Sequence, residues 1–160
     1  MTTRFERQLE ELHVQMITMG SLCEKVITLS AQAIRGVECT GEVFETDKEI
    51  DNKEREIETL CMRLLLHQQP VAGDLREISA ALRMISDMER IGDQAADIAD
   101  LSRFIDRNMD HIPAQLEKMV EMTVHMVTES VDAFVKSDLD LCRKVIDDDD
   151  KVDQAFTEIK

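Results

Sequence analysis

From about Phe5 to Ile34 no proline interrupts the chain, and Leu9, Leu12, Met16, Met19, Leu22, Cys23, Val26 and Leu29 recur at three- and four-residue intervals. That spacing puts one apolar stripe on one side of a long helix and is incompatible with the two-residue alternation of a half-buried strand. A second run, from about Glu42 to Gln68, carries Val43, Ile50, Ile57, Leu60, Cys61 and Leu64 on one face. Pro70 ends it, because the residue before a proline is pushed out of the helical region, and Pro70 also suits the opening turn of the next helix. That third helix is expected from about Ala72 to Asn108, with Leu75, Ile78, Leu82 and Ile85 as its stripe. Pro113 opens a fourth, along which Leu116, Met119, Val120, Met122, Met126, Val127 and Phe134 repeat helically, and Ser137 or Asp138 caps a fifth that continues to the C-terminus. Gly36 and Gly41 bracket the first turn.

The fold class is therefore all-α. Short connections make sequential helices antiparallel neighbours, so the first three form an up-down-up bundle. An internal repeat extends the picture. Asp47-Lys-Glu-Ile-Asp51 is echoed by Asp149-Asp-Lys-Val-Asp153, Met19 and Leu22 by Met119 and Met122, and Ala33-Ile34 by Ala133-Phe134. Residues 1–110 are read as one three-helix unit and 111–160 as two helices of a second, similar one. The apolar face of Met119, Met122 and Met126 must be covered by the first bundle or by another chain.

The formal net charge of −15 removes the phosphate-neutralising surface that binding to DNA, RNA or an anionic membrane needs, and favours cations or a basic protein partner. No apolar run reaches the length of a membrane span, and the N-terminus lacks the apolar segment of a secretory signal. Cys23, Cys39, Cys61 and Cys142 lie far apart without CxxC spacing, which fits reduced, mostly buried thiols and a cytoplasmic location.

Chemistry is most concentrated in carboxylates. Asp47 and Asp51 stand one turn apart on the second helix, and Glu89 and Asp93 have the same spacing on the third. Glu89 and Asp93 fall in phase with Leu75, Ile78, Leu82 and Ile85, so the apolar face of that helix is expected to turn acidic in its second half. Antiparallel packing lets the two pairs face each other. Like charges gathered in this way need a counter-ion, supplied by the protein (Arg90 or Lys48) or by a metal. Oxygen-only ligands suit hard cations such as Mg²⁺, Mn²⁺, Ca²⁺ or iron. A solvated acidic face is the competing structural reading. Glu10-Glu-Leu-His13 holds the one Glu-x-x-His, where di-iron bundles need two, so His13 is read as an ordinary helical histidine. The Asp147–Asp150 run is either a solvated face or part of a second cation site. No phosphate loop, Cys–His pair or serine triad pattern is present.

His67-Gln-Gln-Pro-Val-Ala-Gly-Asp-Leu-Arg76, followed by Glu89-Arg-Ile-Gly-Asp93-Gln-Ala-Ala-Asp-Ile-Ala99, closely resembles the PhoU family of phosphate-uptake regulators. So do the opening Gln8-Leu9-Glu10-Glu11-Leu12 and Met19-Gly20, and the two-fold repeat. The resemblance implies tandem three-helix bundles that bind iron or zinc through paired Glu/Asp-x-x-x-Asp motifs. Carried onto this chain, it makes Asp47, Asp51, Glu89 and Asp93 the first metal site with Asp97 as an extra ligand, and Asp149 and Asp153 half of a second. It implies a homo-oligomeric, cytosolic adaptor and not an enzyme. Such an adaptor links the ATPase subunit of a phosphate ABC transporter to a sensor histidine kinase and holds down uptake and the starvation response. A carboxylate-bridged metalloenzyme or metal-storage bundle is the alternative. Full members carry a sixth helix and a second Glu-Arg-x-Gly-Asp-like motif, so this sequence is expected to be a shortened form.

Overall fold

The computed structural model of the chain describes residues 3–67, 70–105 and 113–160. Within them run five helices: α1 (Arg4–Ile34), α2 (Thr40–His67), α3 (Ala72–Leu101), α4 (Ala114–Lys136) and α5 (Leu139–Ile159). α1, α2 and α3 pack mutually, α4 lies along α1, and α5 packs on α4.

Local signals set the helix ends. Thr3 caps α1 reciprocally with Glu6: its hydroxyl accepts from the Glu6 amide at 3.1 Å, and the Glu6 carboxylate accepts from the Thr3 amide at 3.0 Å. Gly36, at φ +89°, takes the left-handed turn after α1 that a side chain would resist. Gly41 plays no such part; it lies inside the first turn of α2. Pro113 precedes α4 as expected, and Asp138 is the cap of α5, accepting from the Leu141 amide at 3.0 Å. Ser137 instead closes α4 in the left-handed region at φ 53°.

The core is built from the stripes read in the sequence: Leu12, Met16, Met19, Cys23 and Val26 of α1 against Val43, Ile50, Ile57, Cys61 and Leu64 of α2, all without solvent exposure. The third stripe departs from expectation. Leu75 is 47% exposed and Leu82 half-buried. The buried line of α3 is Ile78, Ala81, Ile85, Met88, Gly92, Ala95, Ala96 and Ala99. Small side chains replace leucines there, and they bring the backbone of α3 close to its neighbours. α3 ends at Leu101 and not near Asn108, because the chain tightens into a 3₁₀ turn over Ser102–Phe104, where the Ser102 hydroxyl donates to the Ala99 carbonyl at 2.6 Å. Residues 106–112, which include the expected unit boundary at 110, lie outside the described residues.

α4 runs antiparallel to α1. His13 meets Phe134 edge-on with ring centroids 5.9 Å apart, Thr128 donates to Glu24, and Arg35 pairs with Glu117 at 2.8 Å. Val131 and Ala133 are buried in this seam, while Met119, Met122 and Met126 are half-buried. The first bundle thus covers much of the face that the sequence left open.

Candidate metal centre

α2 and α3 each present carboxylates to one seam. Asp47 and Asp51 of α2, half-buried, lie where the charges of Asp93 and Asp97 reach Asp47 and those of Asp51 and Asp93 reach Glu89. The sequence expectation that these four residues converge is therefore met in space. Asp97 stands at the Asp47 end, exposed. Phase reasoning was less accurate for α3: Glu89 is half-buried and Asp93 exposed, flanking the Met88–Gly92–Ala95 line and not replacing it.

One member was missed. Glu54, seven residues after Asp47 and so two turns along the same face, joins the seam beside Asp51 and Asp93. Its signal was available as an acidic residue at the next helical repeat of the Asp47/Asp51 pair. Gly92 was missed as well, and its place in the seam is steric. A Cβ at Gly92 would stand 2.6 Å from Asp47 Oδ1.

The electrostatics of the seam are those of crowded like charges. Asp47 and Glu54 are pushed above the ordinary carboxylate range, first by burial and then by neighbouring carboxylates. Glu89 is pushed up to about 7, first by a proton shared with Asp93, then by burial and the charges of Asp93, Glu54 and Asp51. The protein's own cations do little to relieve this. Arg90 pairs with Asp87 at 3.6 Å on the outer face, and Lys48 is exposed. Relief comes from Arg55, which neither expectation named, at 2.9 Å from Asp51. Asp47 Oδ1 and Glu54 Oε2 are buried with no hydrogen-bond partner. Buried oxygens of this kind cost free energy unless a cation or proton satisfies them.

These residues fit a hard cation in kind: oxygen donors, two of them unsatisfied, in a cleft that glycine keeps open. The set is open along the seam. Among the described residues, no group of three or more His, Cys, Asp or Glu side chains is already closed around a metal position.

The Asp149/Asp153 pair is exposed on α5. Within the acidic run, Asp148 is tied to Lys144 at 3.0 Å and to Lys151 at 3.2 Å, which holds its carboxyl below the usual range. His13 hydrogen-bonds Glu77 of α3, away from the carboxylate seam, as an ordinary packed histidine does. Cys23, Cys39 and Cys61 are buried free thiols, and burial pushes Cys23 up to about 12 and Cys61 to about 11.

A helical bundle followed by a helical pair, with a carboxylate seam between α2 and α3, matches a known domain. The PhoU domain model matches residues 16–102 and 116–160, which correspond to α1–α3 and α4–α5, and the chain belongs to the PhoU family. It is 35% identical over 157 residues to the phosphate-specific transport system accessory protein PhoU homolog of Aquifex aeolicus, spanning 96% of this chain and 71% of that relative. The corresponding homolog of Clostridium acetobutylicum is 37% identical over 159 residues, with 97% and 73% covered. Among solved structures, the phosphate transport system regulatory protein PhoU of Streptococcus pneumoniae superposes with a TM-score of 0.87 at 25% identity, covering 97% of this chain and 74% of that one. PhoU of Pseudomonas aeruginosa superposes with a TM-score of 0.85 at 29% identity, covering 97% and 76%. Among the described residues no helix is long and apolar enough to cross a membrane.

Proposed function

We propose that this chain is an accessory regulator of a phosphate-specific transport system that holds down uptake and starvation signalling when phosphate is plentiful. The carrying observation is the PhoU domain match across both helical units, in a chain whose relatives are named as accessory or regulatory proteins of phosphate transport. The role is one of protein contact and not catalysis. Its acidic surface, at a net charge of −15, suits cytoplasmic partners with basic patches. The ATPase subunit of the transporter and a sensor histidine kinase are those partners, and the chain acts as a homo-oligomer.

In this reading the seam of Asp47, Asp51, Glu54, Glu89 and Asp93, with Asp97 at its end, holds a divalent cation, iron or zinc by family likeness and Mg²⁺, Mn²⁺ or Ca²⁺ by donor chemistry. A bound cation supplies the positive charge that lets these carboxyls ionise together. The partnerless oxygens of Asp47 and Glu54 favour this over a merely solvated acidic face. Asp149 and Asp153 are half of a second such site.

Deletion in the source cell tests the regulatory role: a phosphate-starvation reporter should rise in high phosphate, and unchanged output overturns the proposal. Metal analysis of protein purified without chelator tests the cation separately.

A further inference from the structure

A glycine in the middle of a helix costs about 1 kcal/mol relative to alanine, so its presence calls for a local reason. Gly92 lies in the interior of α3, fully inside the bundle, and is followed on the same buried line by Ala95, Ala96 and Ala99. Alanine evidently suffices for close packing elsewhere along this face. At Gly92 the neighbours of a built Cβ are side-chain tips and not backbone: Asp47 Oδ1 at 2.6 Å and Ile50 Cδ1 at 3.2 Å. By contrast, nothing lies within 4 Å of a Cβ built at Gly41 or Gly73. The room left at Gly92 is thus occupied by a carboxylate oxygen, and that same oxygen is buried with no hydrogen-bond partner. Glu89 and Asp93 flank the glycine on either side in sequence.

We infer that Gly92 is a positioning residue of the carboxylate centre: its missing Cβ leaves the space that holds Asp47 Oδ1 against α3, and the cation is captured only with that oxygen in place. The inference rests on the reading of the seam as a cation site. A methyl group at 92 displaces the Asp47 carboxylate by rotating a terminal group, which the fold tolerates, while α3 gains helix propensity. The substitution therefore separates the two roles of the position. A packing glycine answers in stability; a positioning glycine answers in cation affinity.

The experiment is titration calorimetry of chelator-stripped full chain with Mn²⁺ and with Zn²⁺, alongside melting in chelator, for wild type, Gly92→Ala, Asp47→Asn and the double variant. The expected result is that Gly92→Ala melts no lower than wild type in chelator yet binds cation at least about tenfold more weakly, the scale of a lost supporting contact at a metal site. In the Asp47→Asn background, Gly92→Ala should then make no further difference. Equal affinity of Gly92→Ala and wild type overturns the inference, as does an undiminished loss when Asp47 is already Asn. If Gly92→Ala fails to fold, the same comparison is made in an Ile50→Val background, which removes the Cδ1 contact and keeps the Asp47 one. Wild type binding neither ion overturns the reading of the seam as a cation site, a result distinct from any difference between variants.

Discussion

Gly20 of α1 lies directly beneath Val131 of α4, where a Cβ would come within 2.9 Å of Val131 Cγ2. Val131 is buried and β-branched, with one stiff rotamer in a helix, so it cannot swing aside. The two helices approach as closely as they do because position 20 has no side chain. Gly20→Val should cost about 3 kcal/mol by forcing them apart, and Val131→Ala in the same chain should restore most of it. Urea unfolding of the single and double variants reads both effects.

With a chelator present, acidification should stabilise the fold. Glu89 titrates near 7 in the folded chain against an ordinary 4.5, so between those values the folded state holds more protons than the unfolded one. Stability is then present below about 4.5 and declines as pH rises through about 7. Asp47 and Glu54 shift in the same direction and deepen the decline. Melting temperatures from pH 5 to 8 should fall in wild type and flatten in Glu89→Gln; a flat wild-type profile would refute this.

The carboxylates should exchange stability for binding. In chelator at pH 8, Glu89→Gln and Asp47→Asn should each stabilise by about 1 kcal/mol, since each removes a crowded negative charge. At cation concentrations about a hundredfold above Kd, wild type should gain about 2.7 kcal/mol, and the variants should gain far less. Thermal melts with and without Zn²⁺ compare the two.

Ser137 is the one non-glycine residue at positive φ among those described, at the junction of α4 and α5. A side chain in that region is strained, and glycine relieves it. Ser137→Gly should raise stability by about 1 kcal/mol, measured by denaturant midpoint.

Thiol labelling should be graded by burial. Cys142 is half-buried and should react with a thiol reagent in the native state, whereas Cys23, Cys39 and Cys61 are buried and should react only on unfolding. Fast native labelling of all four would contradict the packing of α1 on α2.

Most of the fold was legible because long helices write their buried face into the sequence at a fixed period. Val43, Ile50, Ile57 and Leu64 could be placed in the core from spacing alone, and all are fully buried. α3 was harder. Its buried line is carried by Ala81, Gly92, Ala95 and Ala99, residues too small to register as an apolar stripe, so Leu75 and Leu82 dominated the reading. The same blindness hid Gly92, which matters for the space it leaves. At the site, the i, i+4 pairs were visible, but Glu54 was passed over because the four-residue motif ended at Asp51. Arg55 escaped because an adjacent helical cation is indistinguishable in sequence from any other surface arginine until the rotamer is seen.

All the carboxylates of the seam lie on one helical hairpin, Thr40–Leu101. Its assembly therefore asks only that two helices adjacent in the chain find their antiparallel register, a low-separation encounter of the kind that forms fastest. During synthesis this hairpin emerges before α4 and α5 do, and domains made early fold as units. A nascent chain can thus gather the seam while the rest of the protein is still being made. A register slip of one helical turn, about 5.4 Å, would carry Asp47 away from Gly92 and scatter the acids along the rod.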